Sequence, residues 1–194
     1  MNASEWWMCS APEGILAWLG RNADDRCLRL FCCACCRLIW PLISDEQSRK
    51  AVETSERFAD GLVDATALQA AEASVRGLRC SGAGGWLGAW AAAESAGIDA
   101  RVAAAWVPAW AAEAAGEAAA RSTVAADESA PAEEIASGVW RQQRQLQCTV
   151  LRDIFPNPFQ PAIQIESDSL RWRNDSIAQA AQASYDRGDC EDLS

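Results

Sequence analysis

Histidine is absent from the 194 residues, and lysine occurs once, at Lys50. The first absence removes Ser-His-Asp and Cys-His catalytic sets and every metal site that needs an imidazole. Basic clusters are missing too. The chain carries 17 Lys and Arg against 27 Asp and Glu, for a formal charge of −10. Nucleic acid and anionic membrane surfaces both require concentrated positive charge, so neither is expected as a partner. A long apolar run is also lacking: Cys27 to Ile43 spans 17 residues but is broken by Arg29 and Arg37. It reads as a buried amphipathic helix rather than a membrane span. The Gly82–Gly85 stretch does not continue into Lys-Ser or Lys-Thr and follows no strand, which excludes a phosphate loop. The opening Met1–Trp6 has no basic region leading into an apolar one, so the expectation is a cytoplasmic chain with reduced thiols.

What is abundant is alanine, with 40 of the 194 positions, together with ten tryptophans. Alanine is the best helix former and a poor strand former, which predicts an all-α fold, an antiparallel helical bundle. Ser10-Ala11-Pro12-Glu13 and Ser44-Asp45-Glu46-Gln47 read as capping boxes. Helices are predicted after each, with others starting at Asp24 or Asp25 and at Asp64 or Thr66. Pro41 should kink or end the second helix. A long helix is predicted from about Pro131 to Phe155. Beyond it come a turn at Pro156–Pro158, a short alternation at Ile163 and Ile165, and a last helix from Asn174 or Asp175 to about Arg187.

Residues 82–134 differ in composition. Gly82–Gly85 breaks the helical pattern, and an Ala-rich stretch with widely spaced Trp follows, with Pro108 interrupting it. Residues 122–134 read as an acidic linker; the block 81–136 holds two basic and eight acidic residues. Alanine removes little apolar area from water, and the large aliphatics cluster on either side. The expectation is therefore a single helical domain over 1–194, in which 82–134 is a low-complexity Ala/Trp-rich appendage laid outside the core.

Four cysteines fall within Cys32-Cys33-Ala34-Cys35-Cys36, giving two overlapping C-x-x-C spacings. In a loop these could hold zinc or form a redox disulfide. On a helix, neighbouring residues point about 100° apart, so the four sulfurs cannot close one tetrahedron. Cys32, Cys35 and Cys36 remain the candidate metal or redox residues, with core packing the favoured alternative. No cofactor is implied.

Trp86 and Trp90 are four apart, as are Trp106 and Trp110, so each pair shares a helix face. Packing onto the protein's own helices is favoured; the alternative is an exposed stripe for self-association or a protein partner. The pairs Asp24/Asp25, Asp45/Glu46 and Glu133/Glu134 lie where helices start and offset the helix dipole there. Arg141, Arg144 and Arg152 read as a solvated face pairing with the acidic linker. Phe155–Pro161 reads as a docking corner that inserts aromatic rings between helices.

Several phrases occur in a fixed order: Glu5-Trp6, Asp25-Arg26, Leu28–Phe31, Ala34–Arg37, Glu56–Gly61, Leu151–Phe155 and Asn157–Phe159. In this the chain resembles a paralogue-rich family of planctomycete bacterial proteins, over residues 5–61 and 148–187. The resemblance implies no activity, cofactor or catalytic residue. Family sequences often place His where Pro41 stands and continue past the last helix, which suggests a truncated or diverged copy. The function expected from the residues is a non-catalytic helical scaffold or protein-interaction module, not an enzyme. The alternative is a cysteine-based metal-binding or redox-sensing protein.

Overall fold

The computed structural model describes residues 1–77, 85–155 and 157–159. Among these, eight helices pack against one another and there is no strand, so the fold is all-α. The helices are α1 (Ala3–Met8), α2 (Pro12–Leu19), α3 (Asp25–Leu38), α4 (Glu46–Ala59), α5 (Ala65–Arg76), α6 (Gly85–Ser95), α7 (Ala100–Ala126) and α8 (Ala132–Ile154). Residues Met1–Asn157 form one compact unit, and the chain divides after it into a second, Pro158–Ser194. That division falls at neither of the boundaries expected at 82 and 134. The expected strand at Ile163 and Ile165 and the last helix lie outside the described residues.

Local chemistry sets the helix starts. Asp24, Asp45, Asp64 and Asp99 each accept a backbone N–H from the first turn of α3, α4, α5 and α7. Each thereby satisfies a donor that has no partner inside the helix. Asn2 and Glu5 form a capping box at the head of α1, a helix the sequence reading did not contain. The two expected boxes are not formed as read. Asp45, not Ser44, caps α4, accepting from the Ser48 N–H at 2.6 Å. Ala11, not Ser10, is the N-cap of α2 and has no side-chain oxygen to cap it, and the Glu13 carboxylate pairs with Arg144 of α8. Pro12 at the first helical position suits that start, since it has no N–H to leave orphaned. Gly20, at φ 53°, ends α2 in the left-handed region.

α3 and α7 occupy the centre. α7 packs against α3, α6 and α8, while α4 packs against α3, α5 and α6. α7 and α8 run antiparallel: Gly116 approaches Ala136, and eight residues back along α7, Pro108 meets Gln147. α3 and α4 are also antiparallel: Arg26 is bound to Asp60 just past the end of α4, and seven residues on along α3 the Cys33 thiol meets the carbonyl of Val52, eight residues back. The main core joins Phe31, Cys32 and Cys36 of α3 to Leu87 and Ala91 of α6. It continues through Ala103, Val107 and Ala111 of α7 to Cys148 and Leu151 of α8. A smaller cluster around Leu68 and Val75 holds α5 against α4 and α6.

The Ala/Trp-rich segment is thus inside the structure, not an appendage to it. Ten residues of α7 are buried, from Ala100 to Gly116. At Gly116 a Cβ would lie 2.8 Å from the carbonyl oxygen of Ala136. Small side chains let the two backbones approach, and that close approach is what the composition made possible. α7 also runs through Pro108 without a break. A proline inside a helix lacks the N–H that would bond the carbonyl four residues back and costs ~3 kcal/mol or more; Pro108 is buried, and Gln147 Nε2 donates to its carbonyl at 2.8 Å, tying α8 to α7 there. The expected linker shrinks to the turn between Ala126 and Ala132.

Candidate interaction surface

α6 and α7 form a hairpin whose outer face carries the four singled-out tryptophans. The Trp90 and Trp110 rings meet edge-on with centroids 5.7 Å apart, and Trp106 stacks on Trp110 at 5.9 Å. Trp110 is half-buried against the core. Trp86, Trp90 and Trp106 are 43, 51 and 54% exposed. The expected four-residue pairing is therefore extended: Trp110 bridges two helices, and three of the four rings face solvent instead of being enclosed by the protein's own helices. Around them, residues 85–93 of α6 and 102–112 of α7 contain no charged side chain. In a chain in which 23% of residues are charged, this is an uncharged aromatic surface of the kind that marks contact sites. Aromatic rings suit such sites because they supply large area at low conformational cost.

Exposed residues missed at the sequence level extend this face. Val102, 46% exposed, lies one helical turn from Trp106 on α7, while Ile98, 55% exposed, stands in the turn before the cap residue Asp99. The one-turn spacing of Val102 and Trp106 was legible, but Val102 lay among small residues and was not weighed. Trp140 is 42% exposed on α8. It borders a depression of about 240 Å³ with Glu113, Gly116, Glu117, Ala136 and Ser137.

The cysteine candidates sit elsewhere. Cys32, Cys33, Cys35 and Cys36 are buried along α3 as free thiols, and Cys148 faces the same core from α8. Burial pushes Cys33 up to about 12 and Cys148 up to about 11. It also holds Cys32, Cys35 and Cys36 far above the ordinary thiol value. Cysteine acts as nucleophile or ligand as its thiolate, which this environment disfavours. Among the described residues no three His, Cys, Asp or Glu side chains are placed to hold a metal ion. Cys80 and Cys190 lie outside the described residues.

Arginine, expected to form a solvated face on α8, instead secures helix ends. Arg144 is 4% exposed and reaches Glu13 of α2 and Gln147. Arg152 donates to the carbonyls of Trp6 and Cys9 at the end of α1. Only Arg141 stays in solvent. Arg29, also 4% exposed, donates to the carbonyls of Ser95, Gly97 and Ile98 where α6 ends, with Phe58 beneath it at 4.9 Å. Burial lowers the pKa of both Arg29 and Arg144. The planar guanidinium, with five donors, can bridge several carbonyls of one helix end, which a lysine ammonium cannot. Of the expected docking corner, Phe155 is buried in the core, while Pro156 and residues 160 and 161 lie outside the described residues.

A second concavity, about 310 Å³, opens between α2 and α7 and is walled mainly by Leu16, Ala17, Leu28 and Ala104. Its two charged groups are already engaged, Glu13 by Arg144 and Arg101 by the carbonyls of Gly20, Arg21 and Ala23. No protein-family model, curated protein or solved structure matches the chain. No helix among the described residues is long and apolar enough to cross a membrane.

Proposed function

We propose that the chain is a non-catalytic helical module that binds a protein partner through the tryptophan face of α6 and α7. The observation that carries this is the cluster of Trp90, Trp106 and Trp110, joined ring to ring across two helices and set in a surface without charge. A rigid aromatic patch of this type loses little conformational freedom on docking and gains from every indole removed from water. The larger pocket supports the same reading, because its charged groups hold the fold together and are not presented to a ligand. The seven cysteines among the described residues are unbridged, which fits a reducing, cytoplasmic setting.

The test is affinity capture from the native cell with the wild-type chain and with a Trp90→Ala/Trp106→Ala double variant. The expected result is a protein recovered by the first and lost by the second, with helical content and melting temperature close to wild type. Equal recovery by both chains would refute the assignment.

A further inference from the structure

We infer that Cys9 and Cys148 form a peroxide-responsive dithiol, which closes to a disulfide between the α1–α2 turn and α8. This goes beyond the interaction-module proposal and uses none of its residues.

Arg144, Cys148 and Arg152 fall four residues apart on α8 and so share one face. The outer two fix what that face meets. Arg144 binds Glu13 of α2, and Arg152 donates to the carbonyls of Trp6 and Cys9 where α1 ends. Cys148, midway between them, therefore faces the stretch from Cys9 to Glu13. The Cys9 sulfur lies in that stretch. Its thiol donates to the Ala11 carbonyl at 3.2 Å, and it rests on Gly14, where a Cβ would stand 3.0 Å from it. Cys9 also packs against the core cluster to which Cys148 belongs. Burial, and then the nearness of Cys9, push Cys148 up to about 11 against the opposing pull of Arg152 and Arg144. One thiol acts on another in this way only when the two are close.

The two thiols differ in access. Cys148 is 1% exposed, whereas Cys9 is only partly buried, so peroxide meets Cys9 first. The Cys9 sulfur attacks one peroxide oxygen. An S–O bond forms, the O–O bond breaks, and the departing hydroxide leaves as water with the thiol proton. Cys148 then attacks the sulfur of this sulfenic acid. An S–S bond forms, the S–O bond breaks, and hydroxide departs as a second water with the Cys148 proton. Each sulfur gives up one electron, and the peroxide is reduced to two waters. The thiols of α3 lack an exposed member to begin such a sequence, since Cys32, Cys33, Cys35 and Cys36 are at most 2% exposed. The new bond closes a loop over most of the described chain. Closing so long a loop restrains the unfolded state and makes the oxidised chain harder to unfold.

The full chain, reduced and then treated with dilute hydrogen peroxide, is alkylated in denaturant and digested with trypsin without reductant. Cleavage at arginine places Cys9 in Met1 to Arg21 and Cys148 in Gln145 to Arg152, each with no other cysteine. The expected product is these two peptides joined, lighter than their sum by two hydrogens and separated by dithiothreitol. Oxidation should raise the urea midpoint of the wild type and leave that of Cys9→Ser unmoved. Cys27→Ser removes another partly exposed thiol and should respond like the wild type. Peroxide treatment that leaves Cys148 an alkylatable thiol overturns the pairing. So does a bond from Cys148 to Cys35, its neighbour on α3, or a joined product that forms only in the denatured chain. None of these outcomes bears on the tryptophan surface, which the double variant tests separately.

Discussion

α3 and α7 share the centre of the molecule and are built on opposite principles. α3 fills its buried side with bulk: Leu28, Phe31 and four cysteines are buried, and Arg26 and Arg37 on the other side pair with Asp60 and Glu56 of α4. α7 fills its buried side with almost nothing larger than alanine, apart from Val107 and Pro108. Its contribution comes from proximity. Each alanine excludes little water, but tight packing brings many atom pairs to van der Waals distance along 27 residues. Apolar area per residue is thus a poor guide to which helix lies at the centre. A helix of small residues can be the one that joins α3, α6 and α8 at the centre.

The largest test of this comparison is to remove α7 and its hairpin partner. Replacing residues 84–130 with a short Gly/Ser linker uncovers Phe31, Cys32, Leu151 and Phe155, which share one cluster with the α7 alanines. The expected result in chemical denaturation is loss of the single cooperative transition. Retention of that transition would return the segment to the status of an appendage.

The next two variants separate the two principles. Phe31→Ala deletes bulk from α3 and should cost about 3–5 kcal/mol, as large-to-small changes at fully buried aromatic sites do. Gly116→Val adds bulk to α7, where even a Cβ meets the Ala136 carbonyl at 2.8 Å. The α7–α8 hairpin must open to accept it, at a cost of about 1–3 kcal/mol. Denaturant midpoints measure both. If Gly116→Val is neutral, closeness is not what holds α7 in place.

The smallest effect is electrostatic and belongs to the α3 side. Cys33, raised to about 12, and Cys148, raised to about 11, are neutral in the folded chain while their unfolded counterparts ionise near the reference value of 9.0. Above that pH the unfolded state binds fewer protons than the folded one, so stability falls as pH rises. The contribution is complete below 9 and is lost progressively between 9 and the raised values. Melting temperature measured at pH 9.5 should already lie below that at pH 8. The drop should be smaller in a Cys33→Ala/Cys148→Ala chain. An equal drop in both would assign the effect to other groups.

The sequence by itself determined what depends on near neighbours. Four aspartates start four helices because a short carboxylate reaches the N–H groups two or three residues ahead of it. Alanine content made the fold helical, and the placement of the cysteine run inside a helix followed from its flanking residues. The four-residue spacing of Trp86 with Trp90 and Trp106 with Trp110 showed shared faces, but not which way those faces point. Only the tertiary structure decided that Pro108 stays inside a helix, that Arg144 is buried against Glu13, and that the alanines lie at the centre. Each involves contacts distant in the chain: the packing of α3, α6 and α8 around α7 and its buried Pro108, Glu13 for Arg144, Ala136 for Gly116. Periodicity states that a helix has two sides, and the sizes of the other helices determine which side is covered.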